Sequence, residues 1–348
     1  MNIEIIKSKD HWDDFLSSID DYDFYHTFDY HQISKSPTDR SILIKYEKDG
    51  ITIGLPILVR EINGTNYFDA ISVYGYSGPI CNGIPANFDA AHYKETLMQY
   101  FIQENIISVF LRLHPYLTYQ NIIFHEFGEL TNLGKVVNID VTLDLDIQRQ
   151  KYNRRLKNHV NKANRDCTVK KATTEEDFQA FKELYFENMN RVDAKSFYYF
   201  SDTYFEEFKS SEDFKTETLL AIHNETGKPI AGSMFIKTNK MVQYHLSGAS
   251  NEYLHLNGIK LLIDNMRLEA TEEGYEKFNL GGGLGANEND SLFRFKSSFS
   301  DDYHDFFIWK LIVDQNKYDE LCKKNNVSKA DSDFFPLYRY NEFYMKKP

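Results

Sequence analysis

The segment Phe278–Ser300 reads F-N-L-G-G-G-L-G-A-N-E-N-D-S-L-F-R-F-K-S-S-F-S. A short apolar strand signal, Phe278-Asn279-Leu280, runs straight into Gly281, Gly282 and Gly283. Consecutive glycines let the chain turn through φ > 0 and let another group approach the main chain closely. Successive free N–H groups in such a turn can form an anion nest. Beyond it, Arg294 and Lys296 alternate with Phe293, Phe295 and Phe299. That period of two predicts a half-buried strand, with its two cations available to a phosphate or carboxylate. A glycine-rich loop is weak as a motif, and a tight surface turn is its ordinary use.

Upstream of the glycines the order of elements is legible. Thr218–His223 and Ile230–Lys237 read as strands around a turn, Met241–Ala249 as a third strand and Leu256–Glu273 as a long helix. Thr174-Glu175-Glu176-Asp177 opens an earlier helix with a cap and a first turn of acids. Phe178, Phe181, Leu184, Tyr185 and Met189 form its apolar stripe. The first half repeats the order without repeating the sequence. Ser41–Tyr46 and Ile51–Arg60 form a hairpin around Lys48-Asp49-Gly50. A shaped loop follows over residues 68–85, with Gly75, Gly78 and Pro79 fixing its backbone and Asp69, Tyr74 and Tyr76 at its polar tips. Asp89–Asn105 reads as a helix, and Ile106–Leu113 and Val136–Leu145 as strands. The class is α/β in the broad sense (α+β), with mixed sheets flanked by helices.

Between the halves the composition changes. Residues 149–171 read R-Q-K-Y-N-R-R-L-K-N-H-V-N-K-A-N-R-D-C-T-V-K-K. Leu156, Val160, Ala163 and Cys167 fall on one helical face. Lys151, Arg155, Lys162 and Arg165 fall on another, with Arg154 and Lys157 beside them and almost no acid to neutralise them. Most charge runs are solvated faces; this one also suits a phosphate. The chain's 348 residues exceed the roughly 250–300 at which a single core splits. The expected division is 1–147, a basic linker helix at 148–171, and 172–348.

A formal charge of −12 disfavours general polyanion binding, leaving only local basic patches. Cys81, Cys167 and Cys322 are far apart, which signals neither a zinc site nor a disulfide framework. No metal is expected. The start of the chain lacks the apolar core of a secretory signal, and no run reaches the roughly 18 apolar residues of a membrane span. A cytoplasmic location follows as the expectation.

Three motifs in this order carry a family resemblance: Y-G-Y-S-G-P at Tyr74–Pro79, R-R-L-K-N-H-V-N-K-A at Arg154–Ala163, and L-G-G-G…D-S-L-F-R-F-K-S-S-F-S at Leu280–Ser300. The chain resembles the FemAB-like branch of the GNAT (acyl-CoA N-acyltransferase) superfamily, in particular members associated with envelope-polysaccharide and peptidoglycan biosynthesis. The resemblance implies tandem GNAT-like domains. It implies transfer of an acyl or aminoacyl group to an amine of a nucleotide- or lipid-linked sugar or peptide, at or near a membrane surface. The donor would be acyl-CoA or aminoacyl-tRNA. Of the usual CoA-pyrophosphate loop only Gly258 remains in Y-L-H-L-N-G-I-K-L-L, and Lys260 stands where a small residue is expected. This departure favours the aminoacyl donor, while the net charge pulls mildly against tRNA. An acetyl-CoA-dependent N-acetyltransferase of an amino sugar and a non-catalytic GNAT-like binding module stay open.

Amide formation needs a neutral amine and a stabilised oxyanion. Asp69, Tyr244 and His245 are the candidate acid–base or orienting groups. Backbone N–H groups near Leu246–Ala249 or at Gly281–Gly283 are candidates for the oxyanion. Arg154, Arg155, Lys162, Arg294 and Lys296 are the candidate phosphate ligands, and Tyr74, Tyr76 and Tyr199 the aromatic contacts. A strand histidine is more often a packed one, and a tyrosine such as Tyr199 more often core.

Overall fold

The computed structural model describes residues 2–82, 84, 85, 87–283, 290–328 and 332–344. In chain order the first elements are β1 (Ile3–Ile6), α1 (Lys9–Ser17), α2 (Phe28–Ser34), β2 (Arg40–Lys48), β3 (Ile51–Glu61), β4 (Phe68–Ile71), β5 (Ile80–Cys81), α3 (Ala91–Gln103), β6 (Ile106–Arg112), α4 (Tyr119–Phe124) and β7 (Glu129–Asp140). Then come α5 (Leu145–Gln150), α6 (Arg154–Asp166), β8 (Cys167–Lys171), α7 (Glu175–Arg191), α8 (Asp202–Ser210), β9 (Lys215–His223), β10 (Pro229–Thr238), β11 (Met241–Ala249), α9 (Gly258–Glu272) and β12 (Lys277–Gly281). The last are α10 (Ser291–Lys296), β13 (Asp302–Ile312), α11 (Gln315–Lys324) and α12 (Tyr340–Tyr344).

Two compact units emerge, Met1–Leu133 with Phe306–Pro348, and Gly134–Asp305. In the first unit the strand order is β1-β2-β3-β4-β6-β13, with β5 also on β3; β4/β6 is the parallel pair. In the second it is β8-β9-β10-β11-β12-β7, and β11/β12 is the parallel pair. Both units therefore run through four antiparallel strands, a crossover helix (α3 or α9), a parallel strand and a closing antiparallel strand. This is the tandem GNAT-like architecture. Each closing strand comes from the other half of the sequence, so the boundaries expected at 147 and 171 are not where the units divide. The stretch 148–171, read as a linker, lies inside the second unit, and residues 306–348 lie inside the first.

Local chemistry explains the elements. Thr174 and Asp177 form the expected capping box at α7. Asn153 caps α6 by accepting from the Leu156 N–H, and Leu156, Val160 and Ala163 are buried, as their spacing predicts. They pack with Leu261, Leu262 and Met266 of α9 and with Val242 and Phe278 of the sheet. In the first unit Ile44, Leu55, Val109, Tyr93, Phe101 and Trp309 form the corresponding core. Pro56 sits within β3 because β5 pairs at Ile53 and Gly54 and β4 only from Leu58 onward. The missing N–H falls between the two ladders, where none is needed. The three cysteines are free and buried.

Candidate active site

The second unit opens between β11 and β12. These parallel strands share the rungs Met241–Lys277, Val242–Phe278 and Gln243–Asn279, and then part. Each strand is irregular just beyond the last rung. On β11, Tyr244 lies opposite Phe235 and Leu246 opposite Met234, leaving His245 as an extra residue. On β12 the register against β7 shifts between Asn279 and Gly281. Such bulges bend a strand and re-aim its side chains. In the first unit the equivalent gap is filled. Ser72 N–H donates to Phe110 O and Ser77 N–H to Arg112 O, while Arg112 N–H donates to Ser72 Oγ, each at 3.0 Å.

The edge of β11 beyond Gln243 has a defined polarity. Ser250 N–H donates to Ile230 O at 2.9 Å. By antiparallel alternation, Gly248 and Leu246 turn their backbone groups toward β10, and Ser247 and Ala249 turn theirs toward the opening. Side chains of α7 reach that edge: Asn188 Nδ2 donates to Ser247 O at 3.4 Å and Arg191 to Ala249 O at 3.1 Å. Gly248 permits this approach, since a Cβ there would lie 2.1 Å from Leu184 O.

The glycine turn forms the other wall. Gly281 has φ +77°, and its N–H donates to Asn279 Oδ1 at 2.8 Å. A Cβ on Gly283 would lie 2.7 Å from the Asp290 carboxylate and 2.8 Å from Phe293 Cβ. Lys296 Nζ donates to Gly282 O at 2.7 Å. These bonds correct the anion-nest expectation: the turn offers a carbonyl to a cation, and a carboxylate already packs against it.

The expected strand after the glycines is the helix α10. Asp290 caps it by accepting from the Leu292 and Phe293 N–H groups at 3.1 Å each. Residues two apart on a helix point about 200° apart. Arg294 is accordingly exposed while Lys296 is buried, so the two cations do not form a joint site. Burial pushes the Lys296 ammonium down to about 8, with Asp290 opposing the shift.

The acid–base candidates behave differently from one another. The Tyr244 hydroxyl bonds Ser247 Oγ, and burial raises the phenol to about 12. His245 Nε2 is 2.8 Å from the Tyr204 hydroxyl, and its ring stacks on Phe208 at 4.8 Å. Burial pushes this imidazole down to about 3, so it is neutral near pH 7. Asp69 lies in the first unit, fully buried. It accepts from Arg60 Nε at 2.7 Å, from the Tyr338 hydroxyl at 3.1 Å and from Arg339 Nε. This corrects the reading of Asp69 as a catalytic group: two guanidiniums and a phenol already use its carboxylate as an anchor.

The aromatic candidates divide between the units. Tyr74 is 58% exposed, with the Arg112 guanidinium 5.5 Å from its ring. Tyr76 packs edge-on between Tyr25 and Phe306. Tyr199, in the second unit, stacks on Phe186 and donates to Asn190 Oδ1 at 2.8 Å; at 41% exposure it is not a core residue.

Arg154, Arg155 and Lys162 lie on the outer side of α6, exposed. Among the described residues, none of the three has a hydrogen-bond or ion-pair partner. Two neighbours were not singled out from sequence as site residues. Lys260 Nζ is hydrogen-bonded to His159 Nδ1 at 2.7 Å and donates to Asn257 Oδ1 at 2.9 Å. Burial, Lys260, Arg155 and Lys162 lower the His159 pKa, in that order, and burial and Arg155 lower that of Lys260. The lone Lys260 within the glycine motif was the available signal.

A separate charged cluster is structural. The buried Lys237 Nζ lies within 2.9 Å of Glu217, Glu269 and Glu273, a carboxylate group otherwise spaced to hold a metal ion. A hollow of about 480 Å³ opens beside Lys237, between Lys215 and Tyr275, and its lining does not include Lys296. No helix among the described residues is long and apolar enough to cross a membrane.

The FemAB family model matches residues 210–302, from the end of α8 through α10 to the first residue of β13. No curated protein matches the chain in sequence. Among solved structures, FemX is similar at 13% identity over 91% of this chain and 99% of that one, with a TM-score of 0.69. The C-terminal domain of a putative lysylphosphatidylglycerol synthetase from Agrobacterium fabrum is similar at 13% identity over 86% and 90%, with a TM-score of 0.55. The FemAB match over the opening and its glycine turn and the FemX-like fold make this chain similar to FemAB proteins, in a fold of two GNAT-like units with repeated strand order.

Proposed function

We propose that the second unit transfers an acyl or aminoacyl group to an amine of a nucleotide- or lipid-linked sugar or peptide in cell-envelope biosynthesis, in the cytoplasm. The observation that carries this reading is Lys296: a buried ammonium tied to the glycine turn where β11 and β12 part. The acyl carbonyl enters the opening and accepts from the Ser247 or Ala249 N–H. The amine nitrogen attacks the carbonyl carbon, and its proton passes to the departing oxygen or sulfur of the carrier. The new C–N bond replaces the carrier's ester C–O or thioester C–S bond, and the electron pair leaves with the carrier. The Lys296 ammonium stabilises the oxygen on which charge develops. Tyr244 and His245 orient the β11 wall, because a phenol raised to about 12 and an imidazole lowered to about 3 are poor proton acceptors at neutral pH.

Arg154, Arg155 and Lys162 bind the phosphates of the donor carrier. Arg294 is a rim contact at most, separate from Lys296. In the first unit, the exposed ring of Tyr74 beside Arg112 suits a sugar face, with Tyr76 supporting the loop. Tyr199 offers a second aromatic face. The FemAB match and the likeness to a lysylphosphatidylglycerol synthetase domain support an aminoacyl donor.

The test is mass spectrometry of acceptor mixtures (nucleotide-linked amino sugars and peptides) incubated with charged tRNA or with acyl-CoAs. A new amide lost on Lys296→Met supports the reading. Acceptor binding without transfer from either donor would instead leave a binding module.

A further inference from the structure

Helices α6 and α9 meet at an unusual contact. Lys260 Nζ meets His159 Nδ1 at 2.7 Å, a distance at which one nitrogen donates and the other accepts, so the pair is not doubly charged. Arg155 and Lys162, one turn away on either side of His159, add two unpaired cations. Among the described residues, other elements on this face bring no compensating acid to His159. The segment Asn251–Leu256 packs on α6 and offers Glu252, Tyr253 and His255, none of which displaces the His159 pKa. On β8, Lys170 pairs with Asp177, and Lys171 with Glu217 and Glu269. In a chain of net charge −12, cations crowded together without counter-charge form a surface suited to an anion.

We propose that Arg155, His159 and Lys162 of α6 and Lys260 of α9 form a phosphate site that takes up a proton at the His159–Lys260 contact when the anion binds. This rests on the reading that a phosphorylated carrier is bound, and it names the residues and the proton that bind it. Without the anion, the two basic groups share one proton, because a second charge would face three cations. A phosphate dianion or phosphodiester reverses that balance, and both groups hold their protons. Binding then strengthens as pH falls, by up to tenfold per pH unit for one coupled proton. The phosphate can belong to a coenzyme or to the end of an RNA, since both present the same oxygens to guanidinium, ammonium and imidazolium donors.

The experiment is calorimetric titration of the full chain with inorganic phosphate, coenzyme A and an RNA hairpin ending in single-stranded CCA. Each is run in two buffers of different ionisation enthalpy, between about pH 6 and 9. At least one organic probe is expected to bind with net proton uptake, and whichever binds tighter identifies the source. Lys260→Ala and Arg155→Ala are expected to weaken binding roughly tenfold or more. His159→Asn keeps an acceptor for Lys260 and is expected to abolish the proton uptake. Lys228→Ala, at an exposed turn, controls for diffuse charge. Circular dichroism confirms that each variant is folded. No binding by any probe overturns the proposal. So does binding without proton uptake, or equal weakening by Lys228→Ala. Transfer activity is measured separately: transfer that persists when this site fails refutes the site alone, and a working site without transfer refutes the enzyme.

Discussion

Replacing Lys296 with Met should stabilise the protein while abolishing transfer. Lys296 is 8% exposed, and burial holds its ammonium at about 8, against roughly 10.4 for a free lysine. The difference of more than two pKa units corresponds to about 3 kcal/mol spent keeping the charge in place at neutral pH. The bond to Gly282 O would be lost, which returns about 1–2 kcal/mol, so the net gain is about 1–2 kcal/mol. At roughly 2–4 °C per kcal/mol for a unit of this size, Tm should rise by about 2–8 °C. The sign can be checked with pH. Below pH 8 both the folded and unfolded chains carry the charged lysine, and the folded chain bears the full cost. Between about pH 8 and 10.4 the unfolded chain binds more protons, so the wild type gains stability relative to the variant. The variant's advantage should therefore be greatest below pH 8 and vanish near pH 10. Urea denaturation of both proteins across this range measures it. A variant that is less stable at pH 7, with no convergence at high pH, would show that the side chain simply fills the core. The reasoning about Lys296 would then be refuted.

Other perturbations separate structure from chemistry. Lys237→Met removes the buried partner shared by Glu217, Glu269 and Glu273 and leaves them only the half-exposed Lys171 and Lys215. It should cost about 3–5 kcal/mol, measured by urea denaturation at pH 7. Against burial, hydrogen bonds to Glu269, Lys171 and Lys237 together hold the Glu217 carboxyl well below its ordinary value, a stabilisation present above the usual carboxylate range and lost as pH falls below it. The penalty of the variant should therefore shrink in acid. Asp69→Ala removes the carboxylate shared by the Arg60 and Arg339 guanidiniums, leaving Arg339 only Glu342 and the Glu61 carbonyl, and should cost several kcal/mol, while transfer per folded molecule stays unchanged; a selective loss of turnover would restore a catalytic role. Arg294→Ala should leave Tm within about 1 °C, since its side chain is exposed. A pH–rate profile should show no limb from His245 between about pH 5 and 9, because that imidazole stays neutral there; a limb near 6 that disappears in His245→Gln would contradict its burial.

What the sequence determined by itself is local. The capping box at Thr174, the Asn153–Ala163 helix with its Leu156, Val160 and Ala163 face, the hairpin around Asp49 and the repeated order of elements all depend on residues within a few positions of one another. Backbone hydrogen bonding and apolar periodicity act at that range. The same reasoning failed after the glycines, where the R-F-K alternation looked like a strand. The Asp290 cap and the packing of Phe293 and Phe299 favoured a helix and sent Arg294 and Lys296 to opposite environments. Only the tertiary structure decided which distant groups meet. Asp69 finds Arg339 across 270 positions, His245 finds Tyr204 across 41, and His159 finds Lys260 across 101. Residues 306–348 complete the first unit rather than the second. No local propensity encodes such meetings, because they are set by how buried faces of separate elements fit together, and a side chain's charge and reach become chemistry only once that fit has fixed its neighbours.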